Sequence, residues 1–167
     1  MGKSVLVNSV LTSLLCRFNP DDLRLIIVDP KLVEFKMFED IPHLLLPIVN
    51  DPHDASQALK WAVAETKRRY SFMQKYSVKN IDGYNTKVAE INADPGKYLL
   101  EAEEKPRRLP YIVIIIDELA ELMLTGRKDV EQSIVRLTQL ARAAGIHLIM
   151  ATQRPSADVV TGLIKSN

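Results

Sequence analysis

Apolar residues in the first stretch of the chain recur at three- and four-residue steps, through Val7, Val10, Leu11, Leu14, Leu15 and Phe18. That spacing predicts a helix over about residues 4–17 with one apolar face, ended by Asn19-Pro20-Asp21-Asp22. The pattern then changes. Leu25-Ile26-Ile27-Val28 is an unbroken, partly β-branched run closed by Asp29-Pro30, which predicts a strand buried on both faces. A second long helix is predicted from Asp51-Pro52-His53-Asp54, with Asp54 as its cap. Leu59, Ala62, Val63, Thr66, Tyr70 and Met73 would line one side of it, and Lys60, Lys67, Arg68 and Lys75 a solvated one.

From Asn80 to Pro110 neither period is sustained; Gly83, Asp94-Pro95-Gly96 and the mixed-charge run from Glu101 to Arg108 read as a connecting excursion with short helical pieces. Ile112-Val113-Ile114-Ile115-Ile116 is the strongest strand signal in the chain and ends at Asp117-Glu118. A helix is predicted from Asp129, with Gln132 completing a capping box, to Ala144, where Gly145 supplies the stop. His147-Leu148-Ile149-Met150-Ala151 reads as a further strand, ending at Thr152-Gln153. Strands separated by helices imply right-handed crossovers and a mostly parallel sheet between helical layers, an α/β fold.

Composition narrows the picture. A chain of 167 residues, 47% of them hydrophobic, suits one domain over residues 1–167. With 22 Lys and Arg against 21 Asp and Glu, the net charge of +1 offers no bulk attraction for a polyanion, so any contact with nucleic acid must be local. The lone Cys16 excludes an intramolecular disulfide and is expected to be a small buried core residue. No apolar run approaches the roughly 20 residues of a membrane-spanning helix.

In an open α/β sheet, ligands bind beyond the carboxyl ends of the strands, which singles out Asp29, Asp117 with Glu118, and Thr152 with Gln153. Gly2-Lys3-Ser4 stands just before a helix, where a phosphate-binding loop must end for backbone N–H groups to face the phosphates. Lys3 would then contact the β- and γ-phosphates of ATP and Ser4 would offer its hydroxyl to Mg²⁺. The tripeptide alone is weak. Its companion is Asp117-Glu118 after five β-branched residues: Asp117 would complete the Mg²⁺ site, and Glu118 would polarise the attacking water. An acidic pair in this position also serves as a helix N-cap, and Thr152-Gln153 as a capped loop entry. Gln153 is otherwise placed to sense the γ-phosphate. His43 and His147 have no Cys or carboxylate at metal-ligand spacing and are expected to be packed or hydrogen-bonded.

Several segments together resemble the motor domain of FtsK/SpoIIIE DNA translocases: Asp29-Pro30-Lys31, Ile41-Pro42-His43-Leu44-Leu45, Trp61-Ala62-Val63 running to Arg68-Arg69-Tyr70, and Leu109-Pro110-Tyr111 leading into Ile116-Asp117-Glu118-Leu119-Ala120. Arg142-Ala143-Ala144-Gly145-Ile146-His147 and Ala151-Thr152-Gln153-Arg154-Pro155 complete the series, and the likeness runs from Gly2 to Asn167. It implies a three-layer RecA-like P-loop NTPase core, a homo-hexameric ring around double-stranded DNA, and ATP-driven translocation for chromosome segregation at a division septum. The parent would be anchored in the bacterial inner membrane with this segment in the cytoplasm, making no membrane contact. The resemblance also implies an arginine acting in trans on a neighbour's γ-phosphate, for which Arg142 is the first choice and Arg136 the second. Arg154-Pro155-Ser156 and Lys165 lie where a loop could face the pore.

Set against that family, the chain is expected to begin inside its phosphate loop, without the glycine-rich turn and the strand feeding it, and to stop before the C-terminal strands. The resemblance puts the absent strand between the one ending at Asp29 and the one ending at Asp117. Such a piece is expected to bind ATP poorly and to aggregate in isolation. Two alternatives stand beside the DNA motor: a related secretion ATPase that moves protein, and a non-catalytic ring subunit.

Overall fold

The computed structural model describes residues 2–94 and 105–166. Pro95-Gly96 and the acidic residues Glu101, Glu103 and Glu104 of the expected excursion lie outside them. Three six- or five-residue strands, β1 (Leu23–Val28), β2 (Tyr111–Ile116) and β3 (Ile146–Met150), form a parallel sheet in the order β1-β2-β3. Side chains alternate across it. Leu23, Leu25 and Ile27 with Val113 and Ile115 pack under α1 (Gly2–Arg17), which contributes Val7 and Leu11. On the other face Ile26, Val28, Ile112, Ile114 and Ile116 pack against α2 (Pro52–Lys75) and α4 (Leu119–Leu140). Helices therefore cover both faces, as the doubly apolar strand runs require.

The place expected for the missing strand, between β1 and β2, is closed. β1 and β2 pair directly over their full length, Leu23 with Tyr111 through Val28 with Ile116, so a parallel ladder already fills that position. The outer edge of β1 is also covered, because Leu25 bonds to His43 and Leu45, and Ile27 and Asp29 bond to Val49, through main-chain hydrogen bonds of 2.8–2.9 Å. β3 forms the other end of the sheet, and its Leu148, Ile149 and Met150 are only half-buried.

Helix boundaries differ from the predicted ones for local reasons. Asp51 rather than Asp54 caps α2, accepting from the N–H groups of His53 and Asp54, with Pro52 at the first helical position. The expected excursion after Asn80 contains α3 (Ile81–Ala93), capped by the Asn80 side chain on Gly83 N–H and burying Ile81, Tyr84, Val88 and Ile91. α4 begins ten residues ahead of Asp129, at Leu119, with Glu118 as its N-cap; Gly126 at φ −141° breaks it, so the predicted helix is its second half. It ends at Leu140 instead of Ala144, and a turn carries the chain to Gly145, whose φ of +71° suits its glycine. Cys16 is exposed, contrary to expectation, because Val7 and Leu11 take the sheet-facing positions of α1. His43 is buried and hydrogen-bonds the Phe18 carbonyl through Nε2, and His147 stacks on Tyr111.

Candidate nucleotide site

The carboxyl ends of β1 and β2 lie side by side, since Asp117 N–H bonds the Val28 carbonyl at 3.0 Å, and this brings Asp29 next to Asp117. Asp29 is fully buried. Its two oxygens accept five main-chain N–H groups, those of Lys31, Leu32, Val33, Glu34 and Phe35, at 3.1–3.2 Å, winding residues 29–35 around one carboxylate. Asp29 is thus a loop organiser with its lone pairs spent, a role that Asp-Pro after a strand hinted at only as a turn.

Lys3 meets the acidic pair. From the first turn of α1 its Nζ donates to the Asp117 carbonyl at 2.7 Å, and lies 3.1 Å from Asp117 Oδ1 and 3.9 Å from Glu118 Oε2. Residues 114 positions apart are thereby joined at one point. The ammonium's directed hydrogen bond goes to the carbonyl, and Asp117 Oδ1, though buried, accepts none. Burial pushes the Asp117 carboxyl above its ordinary range; Lys3 pulls it down, and the nearby Asp29 and Glu34 charges push it up again. Asp117 Oδ1, a buried carboxylate oxygen without a hydrogen bond, is a hard donor of the kind that suits a divalent cation such as Mg²⁺, and Ser4 stands beside Lys3 in the first turn of α1.

Glu118 is held differently. Oε1 accepts from the Thr152 hydroxyl at 2.5 Å and from Ala120 N–H at 3.3 Å, and Oε2 from Gln153 N–H at 2.9 Å. Burial raises its pKa, but the Thr152, Gln153 and Ala120 donors and the Lys3 charge outweigh that, so Glu118 sits below the ordinary glutamate range and is ionised at neutral pH. Glu118 starts α4 as its N-cap and also faces Lys3.

The remaining expected residues are less gathered. Gln153 joins the cluster through its main chain, while the residue is exposed. Gly2 is exposed, and a Cβ there would meet no atom within 4 Å, so packing among the described residues gives no reason for glycine. Arg142 is exposed in the turn before β3, at the opposite end of the sheet from Asp117, and Arg136 is exposed on α4. Neither joins the cluster. Thr152, singled out with Gln153 at the strand end, donates its hydroxyl to Glu118 and accepts from Arg154 N–H at the loop entry; the sequence alone did not pair it with Glu118.

Comparison with known proteins agrees with this architecture. DNA translocase FtsK of Staphylococcus epidermidis is 52% identical over 166 residues, covering 99% of this chain and 20% of that protein. The protein of the same name from Bradyrhizobium diazoefficiens is 50% identical over 182 residues, covering 99% of this chain and 22% of its own length. The chain therefore spans about one fifth of the length of these curated relatives. Among solved structures, the pCW3 conjugation coupling protein TcpA in its monomer form with ATPγS superposes with a TM-score of 0.74 at 32% identity, over 99% of this chain and 43% of that one. The cytoplasmic domain of the type VII secretion ATPase EccC of Thermomonospora curvata shares the fold, with a TM-score of 0.75 at 22% identity over 97% of this chain and 18% of that one. The expected layered α/β core of P-loop ATPase motors is borne out. The profile of the FtsK/SpoIIIE family matches residues 1–157, and this chain belongs to that family.

Proposed function

We propose that this chain is the nucleotide-hydrolysing core of an ATP-driven motor that moves double-stranded DNA, acting as one subunit of a homo-hexameric ring in chromosome segregation. The observation that carries the reading is the convergence of Lys3 Nζ on Asp117 and Glu118 at the head of α1. A lysine at a helix N-terminus, beside an acid with an unbonded oxygen and a second ionised acid, is the set of groups that phosphoryl transfer to water needs. DNA translocases named FtsK at about half identity supply the cargo class.

In this mechanism Lys3 leaves the Asp117 carbonyl for the β- and γ-phosphate oxygens, and the first-turn N–H groups of α1 face the same phosphates. Ser4 and Asp117 would hold Mg²⁺, which when bound neutralises phosphate charge as a Lewis acid. Glu118 accepts the proton of a water whose oxygen bonds to the γ-phosphorus as the bond from that phosphorus to the β–γ bridging oxygen breaks, giving ADP and orthophosphate. Gln153 hydrogen-bonds the γ-phosphate, and Arg142, remote from its own subunit's cluster, serves a neighbour's γ-phosphate in trans.

Glu118→Gln in the full-length protein tests this directly. ATP affinity should stay within about twofold while turnover falls by 10² or more, the range expected for losing a general base. Unchanged turnover would contradict the assignment. Double-stranded DNA should stimulate the wild-type rate; a rate indifferent to DNA would contradict the cargo and point to a moved protein instead.

A further inference from the structure

At the amino end of the sheet, away from Lys3 and Asp117, the last turns of α2, the start of α3 and the segment 105–109 enclose a cleft of about 290 Å³. Its walls are fixed. The Asn85 side chain exchanges two hydrogen bonds of 2.9 Å with the main chain of Leu109, and the Tyr84 hydroxyl donates to the Arg107 carbonyl at 3.3 Å, so the segment is held against α3. Tyr84 in turn stacks on Phe72 with ring centroids 6.0 Å apart and meets Tyr76 edge-on at 5.7 Å. The Arg68 guanidinium lies 5.0 Å from the Phe72 ring centre, and the Lys75 ammonium 5.8 Å from that of Tyr76.

The charge around this cleft is one-sided. Arg68, Lys75, Lys105 and Arg107 line it, and among the described residues no acid does. Arg68 is already neutralised by a two-point bond to the buried Glu65, and the adjacent Arg108 by Asp22. Lys75, Lys105 and Arg107 have no carboxylate partner among the described residues. In a chain whose net charge is only +1, three uncompensated cations on opposite walls of one concavity make a local site for an anion. What the cleft lacks narrows the anion. Bases of a single nucleic-acid strand bind by stacking on open ring faces, and these rings are covered by one another and by Arg68 and Lys75. The volume falls just short of the roughly 300–1,000 Å³ of clefts that enclose whole small molecules, so it suits side chains of an extended chain better than a nucleotide.

We propose that this cleft docks an acidic polypeptide segment of a partner protein, its carboxylates lying on Lys75, Lys105 and Arg107. The inference is independent of the role given to Glu118.

Fluorescence anisotropy of a fluorescein-labelled octaglutamate peptide with the full-length protein tests it. Lys75→Glu and Arg107→Glu, on the two walls, should each weaken binding by about tenfold, since a reversed charge removes an attraction and adds a repulsion. Both side chains are exposed, and unchanged ATP turnover would report that each variant is folded. Lys67→Glu, an exposed lysine of α2 outside the cleft, should leave the affinity within about twofold of wild type. An equal loss in all three variants would mean unspecific attraction and overturn the site, as would no loss in either cleft variant. An oligothymidylate that displaces the peptide, and whose own binding is weakened by the same two cleft variants, would make this a nucleic-acid site and overturn the peptide assignment. Peptide binding gained only when Glu101, Glu103 and Glu104 are replaced by Gln would show the chain's own acids competing for these cations, and would overturn docking of a partner.

Discussion

Five N–H groups on one carboxylate make Asp29 the most heavily bonded side chain at the carboxyl end of the sheet. Its loop includes Leu32 at φ +51°, a left-handed conformation uncommon for a residue with a branched side chain, adopted where Leu32 N–H and its neighbours turn toward the Asp29 carboxylate. Asp29→Ala would leave those donors without their acceptor; a loss of about 3 kcal/mol or more is expected, since bonds to charged groups contribute roughly 1.5–3 kcal/mol each and do not add fully. Urea unfolding of the variant measures it, and a loss below about 1 kcal/mol would show that the loop is held by other means. At this scale the acids after the strands were legible from the sequence, because strand-end polarity is local information. The division of labour among them was not. Asp29 turns inward to its own loop, whereas Asp117 turns to Lys3 and Glu118 to Thr152, and those two choices depend on neighbours distant in the chain.

Helix α2 shows how one element holds the sheet's opposite end. Arg69 is 2% exposed, donates to Glu65 Oε1 at 2.8 Å one turn earlier, and reaches the carbonyls of Pro110 and Ala144 at 2.8 and 2.9 Å. Those carbonyls sit just before β2 and β3, so one guanidinium ties α2 to the starts of two strands. Arg69→Met should cost about 3 kcal/mol, because it leaves the carbonyls of Pro110 and Ala144 without their donor and leaves Arg68 as the remaining partner of Glu65. Burial raises the Glu65 pKa, but Arg68 and Arg69 together bring it below the ordinary glutamate value. The sign follows: the stabilisation is fully present above about pH 4.5 and is lost as pH falls through the lower folded value. Wild type should therefore lose stability on acidification more steeply than Glu65→Gln, as urea midpoints across pH 3–6 would show; equal acid limbs would contradict the clamp. Arg69 was legible only as part of a resemblance. Burial of a charged residue needs acceptors from other elements, which no local pattern announces. α3 was expected only as a short helical piece, for a different reason: its apolar residues Ile81, Tyr84, Val88 and Ile91 keep helical spacing, but Gly83 and the polar flanks read as loop.

Over the whole molecule, the strand runs announced a parallel sheet covered on both faces, and the order β1-β2-β3 with helices on each side bears that out. The position expected for a further strand did not hold, since nothing in the sequence of Leu23–Val28 or Tyr111–Ile116 says that these two segments are direct partners. No helix of the described residues is long and apolar enough to cross a membrane, in keeping with the absence of long apolar runs. The near-zero charge offers no bulk attraction for a polyanion, so under the proposed function any contacts to a DNA backbone would be few and local.

The central claim is that Lys3 and the Asp117-Glu118 pair serve a single triphosphate and its metal. A structure of the full-length protein with ATPγS and Mg²⁺ tests it most directly. The account predicts Lys3 Nζ withdrawn from the Asp117 carbonyl onto the phosphates, with the metal between Ser4 and Asp117 at oxygen distances of about 2.0–2.1 Å or one water away. Nucleotide bound elsewhere, with Lys3 still on the Asp117 carbonyl, would contradict it.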